Sequence, residues 1–445
     1  MKKIGFALLF ALALIGAANA QNCSTGFLGS KTLYTAQGIN TPALKNYNAV
    51  FINHVGRHGA RHLTSDVATS EIYQLVAKAD SAGALTATGK TLKEKIHKLA
   101  VIEKPLVKSI SYEGRLEQQG LADRMYNNYT HLFNDTATVI NIAYTKEIRT
   151  LQTSDAFMQE LQTKIKAPAV SKRINDTTLR FYDIAPSYLF YKKKGPWMAS
   201  YQQLKNDLHY TALTSSIAQI FFTKEWVAHM SEADLDEFTA GLYGFISICY
   251  SIENEIKAAG YTVSDLDMQQ YLTCDQLTAL GKIDNAEDYY LKGPAENPDG
   301  IQVSIAAPLL ADFVATTDAY IKTKSVNLQL RFSHAETIAP FAAILSLTTA
   351  STKTGNPVTI DKVWNAGKVI PLSSNIQWVL YQKKGSKDYL IKFLLNEKET
   401  AITGLSTKTF PYYNWAQVRN FYLKKLQQFQ LMPAGNYLEY LRKAE

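Results

Sequence analysis

Two arginines and a histidine lie close together in residues 57–61, which read R-H-G-A-R. The guanidinium groups of Arg57 and Arg61 stay protonated, and each planar fork matches two oxygens of a phosphate group. These charges keep the imidazole of His58 neutral near pH 7, because protonation there would crowd like charges. A neutral imidazole can attack phosphorus, and Gly59 lets the backbone approach a bound anion. The stretch therefore indicates phosphoryl-group chemistry, with a solvated basic turn as the alternative.

The elements around this stretch must bring its side chains to a substrate. The apolar run at residues 49–52 predicts a buried β-strand that ends at the R-H-G-A-R turn. In open α/β sheets, the residues that follow a strand lie at the edge where ligands bind. Residues 139–144 and 326–333 predict two further strands, and they precede Arg149 and His334 respectively. We expect the distant segments to fold back around a single phosphorus atom.

The two motifs together resemble a known family. R-H-G-x-R resembles the signature of the histidine acid phosphatases, and R-F-S-H-A-E-T at residues 331–337 resembles their second motif. Most of that superfamily carries His-Asp at the second place. His334-Ala335-Glu336 instead resembles one branch, the multiple inositol-polyphosphate phosphatases.

This resemblance implies a role for each site residue. His58 would be the nucleophile that forms a phosphohistidine, and Glu336 would donate a proton to the leaving oxygen. The phosphate group would be bound by Arg57, Arg61, Arg149 and His334. Two of these residues also have structural interpretations. Arg149 fits a solvated arginine at a helix start, and Glu336 fits a carboxylate that binds free N–H groups of a helix N-terminus.

The sequence departs from the family pattern at three places. Leu63 stands where the superfamily usually has a proline after the second arginine of the first motif, so the loop would be less rigid. Glu117 replaces the threonine of an L-T-x-x-G segment. Ala335-Glu336 moves the acid by one residue and lengthens it, which would relax the choice of phosphate around an inositol ring.

Other polar residues point to no metal or cofactor. The eight histidines are scattered, and none forms an H-E-x-x-H or a comparable ligand set. His54 and His62 flank the first motif and are either substrate contacts or structural histidines, of which we favour the second. Lys292 and the run at residues 192–194 are candidate cations for additional phosphates, and a solvated surface run is the alternative for residues 192–194.

Composition indicates a globular protein with a large core. The chain has 445 residues, of which 46% are hydrophobic and 19% charged. Its formal net charge is +8, and it would be +6 without Lys2 and Lys3. This charge suits a small polyanionic substrate. Nucleic acid is disfavoured as a partner, because the sequence has no basic helix or RNA-type aromatic motif.

The N-terminus predicts export. Lys2-Lys3 is followed by an apolar run at residues 4–17 and by the A-N-A site at residues 18–20, so we expect a signal peptide cleaved after residue 20. No later stretch reaches membrane-spanning length without charges, so no stable membrane insertion is expected. Export permits disulfides. Cys249 and Cys274 are the closer pair in sequence, and Cys23 would then be free.

The order of patterns predicts an α/β fold: a mixed-sheet α/β core flanked by helices, with an inserted, mainly α-helical domain. We expect a signal peptide at residues 1–20, the first part of the core at 21–167, the insertion at 168–300 and the second part of the core at 301–445. Helical spacing of apolar residues dominates the insertion. The substrate pocket would lie between core and insertion, and the protein would be monomeric.

The leading hypothesis is an exported phosphomonoesterase that hydrolyses inositol phosphates, phytate above all. A broad acid or sugar phosphatase is the alternative within the same chemistry, and the His-Ala-Glu motif argues against it. An exported polyanion-binding protein without catalysis is the alternative of another class. The presence of every expected catalytic side chain disfavours it.

Overall fold

The computed structural model describes residues 23–36, 38, 40–133 and 138–444. The predicted signal peptide at residues 1–20 lies outside the described residues.

The described strands form one mixed sheet, in the order β3-β2-β4-β1-β5-β6-β7, with β8 also paired to β6. The strands are β1 (Tyr47–Arg57), β2 (Val139–Tyr144), β3 (Ala169–Ile174), β4 (Leu328–Ser333), β5 (Asn375–Lys383), β6 (Tyr389–Leu395), β7 (Lys398–Glu399) and β8 (Tyr412–Asn414). Strands β3, β2, β4 and β1 run parallel, whereas β5 runs antiparallel to β1. The predicted mixed-sheet α/β core is therefore confirmed.

Parallel pairing brings three strand ends to one edge of the sheet. Arg57 at the end of β1 pairs with Ser333 at the end of β4, and Tyr144 at the end of β2 pairs with Phe332. Residues 51–57 of β1 are all buried, as expected for a central strand with both faces covered. The residues that follow β1, β2 and β4 consequently emerge side by side.

Helices cover both faces of the sheet and form a separate layer beside it. They are α1 (Glu71–Ser81), α2 (Ala87–Glu103), α3 (Tyr112–Asn128), α4 (Ile148–Lys164), α5 (Asp176–Leu179), α6 (Pro186–Lys194), α7 (Trp197–Asp207), α8 (Tyr210–Phe221), α9 (Lys224–Val227), α10 (Glu232–Cys249), α11 (Glu253–Ala258), α12 (Val263–Leu266), α13 (Cys274–Lys292), α14 (Ile301–Ser304), α15 (Ala307–Thr323), α16 (Ala335–Ile344), α17 (Ile360–Val363), α18 (Ala366–Val369), α19 (Trp415–Gln428) and α20 (Tyr437–Lys443).

Residues on the two faces of β1 pack into different hydrophobic clusters. Phe51 and Val55 pack with α15, α16 and α19 on one face, whereas Ile52 packs with α3 and α4 on the other. A third cluster lies away from the sheet and joins α1 and α2 to α8 and α10. The helical layer therefore contains residues from before and after position 168. Strand β3 falls within the predicted insertion, yet it pairs with β2 in the sheet.

The two cysteines that are closer in sequence, Cys249 and Cys274, do not form the disulfide. The disulfide joins Cys23 to Cys274, across a sequence separation of 251 residues. A 3₁₀-helix at Thr25–Lys31 packs against α13, and this contact brings Cys23 to the first residue of α13. The thiol of Cys249 is free and buried, and it faces the carbonyl oxygen of Leu266 at 3.8 Å.

Two long helical patterns are interrupted. The pattern at residues 200–220 predicts one helix, but the chain forms α7 and α8, separated by His209 in a left-handed conformation with φ of 49°. Helical spacing at residues 265–280 also predicts one helix, but α13 begins only at Cys274, where Thr273 and Gln276 form a capping box. Among the described residues, no helix combines the length and apolar character that a membrane span needs.

Candidate active site

The residues after β1 and β4 meet directly. The backbone N–H of His58 donates to the carbonyl oxygen of Ser333 at 2.9 Å, one residue before His334. The imidazole rings of His58 and His334 lie with centroids 5.5 Å apart in an edge-to-face arrangement. The two sequence motifs therefore form one site.

His58 is held in a single tautomer. Its Nδ1 atom lies 2.9 Å from the carbonyl oxygen of Gly59. A carbonyl only accepts, so Nδ1 carries the proton and Nε2 keeps its lone pair. Burial, reinforced by the charge of Arg57, lowers the pKa of His58 well below its ordinary value. The side chain is thus a neutral imidazole at neutral pH.

The two arginines of the first motif are buried beside His58. The Nη1 atom of Arg57 donates to the carbonyl oxygens of Ser30 at 2.5 Å and Ile370 at 2.6 Å. The Nη1 atom of Arg61 donates to the carbonyl oxygen of His62 at 2.7 Å. Burial and the neighbouring charge of Arg57 lower the pKa of Arg61 to about 10, so the guanidinium group of Arg61 remains charged at neutral pH.

Arg149 stands at the start of α4 and contacts His334. Its Nη2 atom lies 3.3 Å from Nδ1 of His334, and its Nη1 atom lies 3.0 Å from Oε2 of Glu147. Glu147 also pairs with Arg180, which in turn pairs with Asp183. The sequence patterns did not identify Glu147 or Arg180 as residues of the site. The proximity of Glu147 to Arg149 in the chain was the available signal, whereas Arg180 belongs to no motif.

His334 is also neutral. An arginine can only donate, so Nδ1 of His334 accepts from Arg149, and Nε2 donates to Oγ1 of Thr145 at 2.9 Å. Burial and the charge of Arg149 lower the pKa of His334 to about 3. In this arrangement His334 orients Arg149. His334 is predicted to bind the phosphate group, and donation from Nδ1 would require His334 to gain a proton or change its tautomer.

Glu336 lies in the first turn of α16, on the same side as the arginines. Its Oε1 atom is 3.7 Å from Nζ of Lys292, and its side chain is 36% exposed. Burial opposes ionisation of Glu336, but the charge of Lys292, together with Arg57, His334 and a backbone hydrogen bond, outweighs it and holds the pKa of Glu336 well below its ordinary value. The negative charge of Glu336 also acts on Arg57 and Arg61, so the predicted acid and the first motif share one electrostatic site.

Helix α3 holds the backbone of the first motif. A Cβ atom at Gly59 would lie 2.5 Å from the carbonyl oxygen of Gly114, so the two backbones touch. The carboxylate of Glu117 accepts hydrogen bonds from the N–H of Ala60 at 2.8 Å and from Oγ of Ser373 at 2.6 Å. Glu117 therefore fixes the motif loop from behind, a contact that a threonine is too short to make in the same way.

The flanking histidines are structural. His54 is buried between the rings of Phe157 and Phe332, with centroid distances of 5.9 and 5.6 Å. His62 is buried between two carboxylates: Nδ1 lies 2.9 Å from Oε1 of Glu103, and Nε2 lies 3.5 Å from Oε1 of Glu255. The hydrogen bonds to these carboxylates outweigh the effect of burial and raise the pKa of His62 to about 9.

Leu63 gains a contact that a proline lacks. Its backbone N–H donates to Oε2 of Glu103 at 2.6 Å, and proline has no N–H group. The carboxylate of Glu103 thus joins His62 and Leu63 to the end of α2. The expected loss of rigidity at this departure from the family pattern is offset by this hydrogen bond.

The remaining candidates lie apart from the site or have other partners. Residues 192–194 end α6 and are exposed, and no ion pair joins them to the site within the described part of the chain. Lys292, by contrast, lies beside Glu336. Among residues 23–36, 40–133 and 138–444, no group of three or more His, Cys, Asp or Glu side chains is arranged to hold a metal ion.

Comparisons with known proteins agree with this geometry. The family model of the histidine phosphatase superfamily (branch 2) matches residues 50–396. No curated protein matches the sequence. The fold is similar to that of the multiple inositol polyphosphate phosphatase of Bifidobacterium longum in complex with phosphate, with a TM-score of 0.76, 20% identity and coverage of 89% of this chain and 97% of that one. The same enzyme in complex with inositol hexasulfate gives a TM-score of 0.75 at 20% identity, with coverage of 87% and 95%.

A third solved structure, the phytase from D. castellii, has a TM-score of 0.62 and 13% identity, with coverage of 94% of this chain and 88% of that one. At these identities the solved structures show the shared fold, whereas the family match extends over both motifs. The sequence-based prediction of a histidine-type phosphatase is confirmed at the level of the family. The chain belongs to branch 2 of the histidine phosphatase superfamily.

Proposed function

We propose that this protein is an exported phosphomonoesterase that hydrolyses inositol polyphosphates, phytate above all. In this proposal His58 forms a phosphohistidine and Glu336 is the proton donor. One observation carries it: a buried, neutral His58 presents an unprotonated Nε2 beside three guanidinium groups and a carboxyl group.

The first step transfers the phosphoryl group to the enzyme. The lone pair on Nε2 of His58 forms an N–P bond while the P–O bond to the inositol oxygen breaks. Arg57, Arg61 and Arg149 stabilise the negative charge on the equatorial oxygens. The leaving oxygen takes a proton from the carboxylic acid of Glu336.

The second step releases phosphate. A water oxygen forms a bond to phosphorus as the N–P bond of the phosphohistidine breaks, and the carboxylate of Glu336 accepts the proton of that water. The low pKa of Glu336 suits this step directly. The first step needs the protonated form. A bound phosphate brings negative charge next to Glu336 and thereby raises its pKa, which favours protonation when substrate is present.

The substrate class is supported by the charges around the site. Arg180 and Lys292 add positive charge beyond the three predicted arginines, and both lie near the catalytic groups. A ring with several phosphates offers each of these cations a partner. The similar structures include an inositol polyphosphate phosphatase in complex with inositol hexasulfate and a phytase. The His-Ala-Glu motif supports the same branch.

Export, a monomeric state and the absence of nucleic-acid partners are parts of the same proposal. The apolar run and A-N-A site near the N-terminus support a signal peptide. The disulfide between Cys23 and Cys274 supports an oxidising compartment, the periplasm or the cell exterior.

The proposal is tested with a substrate panel. Phosphate release from phytate, a hexose phosphate and a simple aryl phosphate is measured for the wild type, His58→Ala and Glu336→Gln. We expect the highest kcat/KM for phytate. A higher kcat/KM for the hexose phosphate would favour a broad acid or sugar phosphatase. Tight phytate binding without phosphate release would favour a polyanion-binding protein.

The aryl phosphate separates the two catalytic roles. Its phenolate is a weaker base than an inositol alkoxide and depends less on a proton donor, so Glu336→Gln should slow phosphoryl transfer from phytate much more than from the aryl phosphate. His58→Ala should abolish both. Equal losses on both substrates in Glu336→Gln would contradict the role of Glu336 as proton donor.

A further inference from the structure

Asp288 is a buried carboxylate that the proposed mechanism does not use. The side chain of Lys292 links it to the proposed proton donor, Glu336. The Oδ1 atom of Asp288 is 2.5 Å from Nζ of Lys292, and the same Nζ atom is 3.7 Å from Oε1 of Glu336. Asp288 and Lys292 are separated by one turn at the end of α13, and Glu336 lies in the first turn of α16. The three side chains form a row of alternating charge.

The helix ends favour this row. The C-terminus of α13 carries partial negative charge and favours the ammonium group of Lys292 there, whereas the N-terminus of α16 favours the carboxylate of Glu336. Asp288 is 6% exposed, and its Oδ2 atom has no hydrogen-bond partner in the described part of the chain. Burying an ionised carboxylate costs free energy unless an opposite charge compensates it. The close partner of Asp288 is the ammonium group of Lys292.

We propose that Asp288 and Lys292 are positioning residues that set the protonation of Glu336, an inference that rests on the proposed role of Glu336 as proton donor. Lys292 attracts the carboxylate of Glu336 and keeps it aimed into the site. Asp288 holds the ammonium group of Lys292 from the other side and limits how strongly that group favours the ionised form of Glu336. The pair thereby makes a carboxylic acid available once a phosphate is bound.

Charged and titratable groups from the surrounding elements share this site. Arg57 and Arg61 act on the carboxyl group from the segment at and after the end of β1, which also carries the neutral His58. His334 lies two residues before Glu336 and contacts Arg149 of α4. From the helical side come Lys292 and Asp288 on α13, and the phenols of Tyr182 and Tyr188, whose pKa values burial raises and the charge of Glu336 raises further. Among these groups, Lys292 is the cation whose charge lowers the pKa of Glu336 most.

The row predicts opposite effects for the removal of the Lys292 charge and of the Asp288 charge. Lys292→Met removes the cation, so the pKa of Glu336 in the enzyme–substrate complex should rise. Asp288→Asn leaves the ammonium group free to act on Glu336, so that pKa should fall. An opposite charge within about 4–6 Å shifts a carboxyl pKa by roughly 1–3 units, so each change should be measurable.

The experiment follows single-turnover phosphoryl transfer from phytate against pH, with enzyme in excess and saturating. This rate reports the enzyme–substrate complex and excludes product release. We expect the alkaline limb of the profile to move to higher pH by about one unit or more in Lys292→Met, and to lower pH in Asp288→Asn. The double variant should follow Lys292→Met, because Asp288 acts through Lys292.

Two controls keep the result interpretable. Lys292→Arg retains the charge and should restore a profile close to that of the wild type. Lys282→Met removes a half-exposed lysine of the same helix, 3.6 Å from Asp361, and should leave the profile unchanged. Thermal unfolding of each variant reports whether it folds, and a misfolded Asp288→Asn leaves the Lys292→Met and Lys292→Arg comparison as the test.

The outcomes distinguish a failure of this inference from a failure of the proposed function on which it rests. Glu336→Gln with wild-type rates and an unchanged alkaline limb would defeat the proposed proton donor itself. A slow, pH-independent Glu336→Gln combined with unmoved profiles in both Lys292→Met and Asp288→Asn would defeat only the inference. Shifts of both variants in the same direction would also overturn it. A raised KM in Lys292→Met with no shift in the profile would limit Lys292 to binding a substrate phosphate and would overturn its positioning role.

Discussion

The carbonyl oxygen of Gly59 lies 2.9 Å from Nδ1 of His58, so the residue next to the proposed nucleophile fixes its tautomer. In many enzymes a carboxylate orients a catalytic histidine and stabilises its protonated form. A neutral carbonyl orients the ring with little gain for the cation, and the nearby arginines oppose protonation. The arrangement therefore orients the imidazole of His58 without favouring its protonation.

His58 should stay neutral at acidic pH. Its folded-state pKa is lowered by burial and by Arg57, so Nε2 keeps its lone pair as the pH falls below the ordinary value of 6.5. The measurement is ¹⁵N-NMR of the labelled imidazole in unliganded protein, from pH 8 to 5. We expect the Nε2 signal of an unprotonated nitrogen throughout, and urea-unfolded protein serves as the control. Protonation of Nε2 near pH 6 would contradict this prediction.

His62 should make stability fall on the alkaline side. Its pKa is raised from 6.5 to about 9, because hydrogen bonds to Glu103 and Glu255 outweigh burial. A raised folded-state pKa means that this stabilisation is fully present below pH 6.5 and is lost as the pH rises through about 9. The free energy of unfolding, measured by urea titration between pH 6 and 10, should show this loss in the wild type. His62→Gln should start lower and lack this loss, and an equal alkaline decline in both proteins would speak against the charged His62.

The disulfide should contribute strongly to stability. It closes a loop of 251 residues and fixes the 3₁₀-helix that supplies the Ser30 carbonyl to Arg57. Cys23→Ser, or reduction of the wild type, should lower the free energy of unfolding by about 2–5 kcal/mol. Chemical denaturation with and without reductant measures this change. Cys249→Ala removes the buried free thiol, and reductant should still lower the free energy of unfolding of this variant. A wild type that reductant leaves unchanged would rule out the Cys23–Cys274 bond.

The contact of α3 with the motif loop should be intolerant of a single added methyl group. A Cβ atom at Gly114 would lie 2.1 Å from the carbonyl oxygen of Ala60, so the helix or the loop must shift. Gly114→Ala should lower kcat by roughly 100-fold, since a displacement of about 1 Å near the reacting groups can cost that much. Gly244→Ala is the matched control, because a Cβ there meets nothing within 4 Å. Similar kcat values for the two variants would show that the loop is not held by this contact.

Sequence reasoning placed the groups of the site because each follows a strand with a strong local pattern. The strand predicted at residues 139–144 is β2, and the strands predicted at 49–52 and 326–333 lie within or overlap β1 and β4. Parallel pairing of these strands then brings His58, Arg149 and His334 together. Motif order and strand position sufficed for this part of the site.

The contacts that tune the site escaped prediction because they join distant segments. Nothing local to Cys23 or Cys274 reveals that a short 3₁₀-helix packs on α13. Lys292 was expected to bind additional phosphates, yet its position depends on the meeting of two helix ends that are distant in sequence. The roles of Glu117 and Glu103 likewise depend on which backbone N–H groups the fold brings to their carboxylates.

The central claim is that His58 carries the phosphoryl group. Rapid quenching in alkali during turnover of ³²P-labelled phytate, followed by peptide mapping, measures the covalent intermediate, since phosphohistidine survives alkaline conditions. We expect label on the peptide that contains His58 and none in His58→Ala, whose kcat should fall on the order of 10³-fold or more. Turnover of His58→Ala near the wild-type rate, or label on another residue, would contradict the claim.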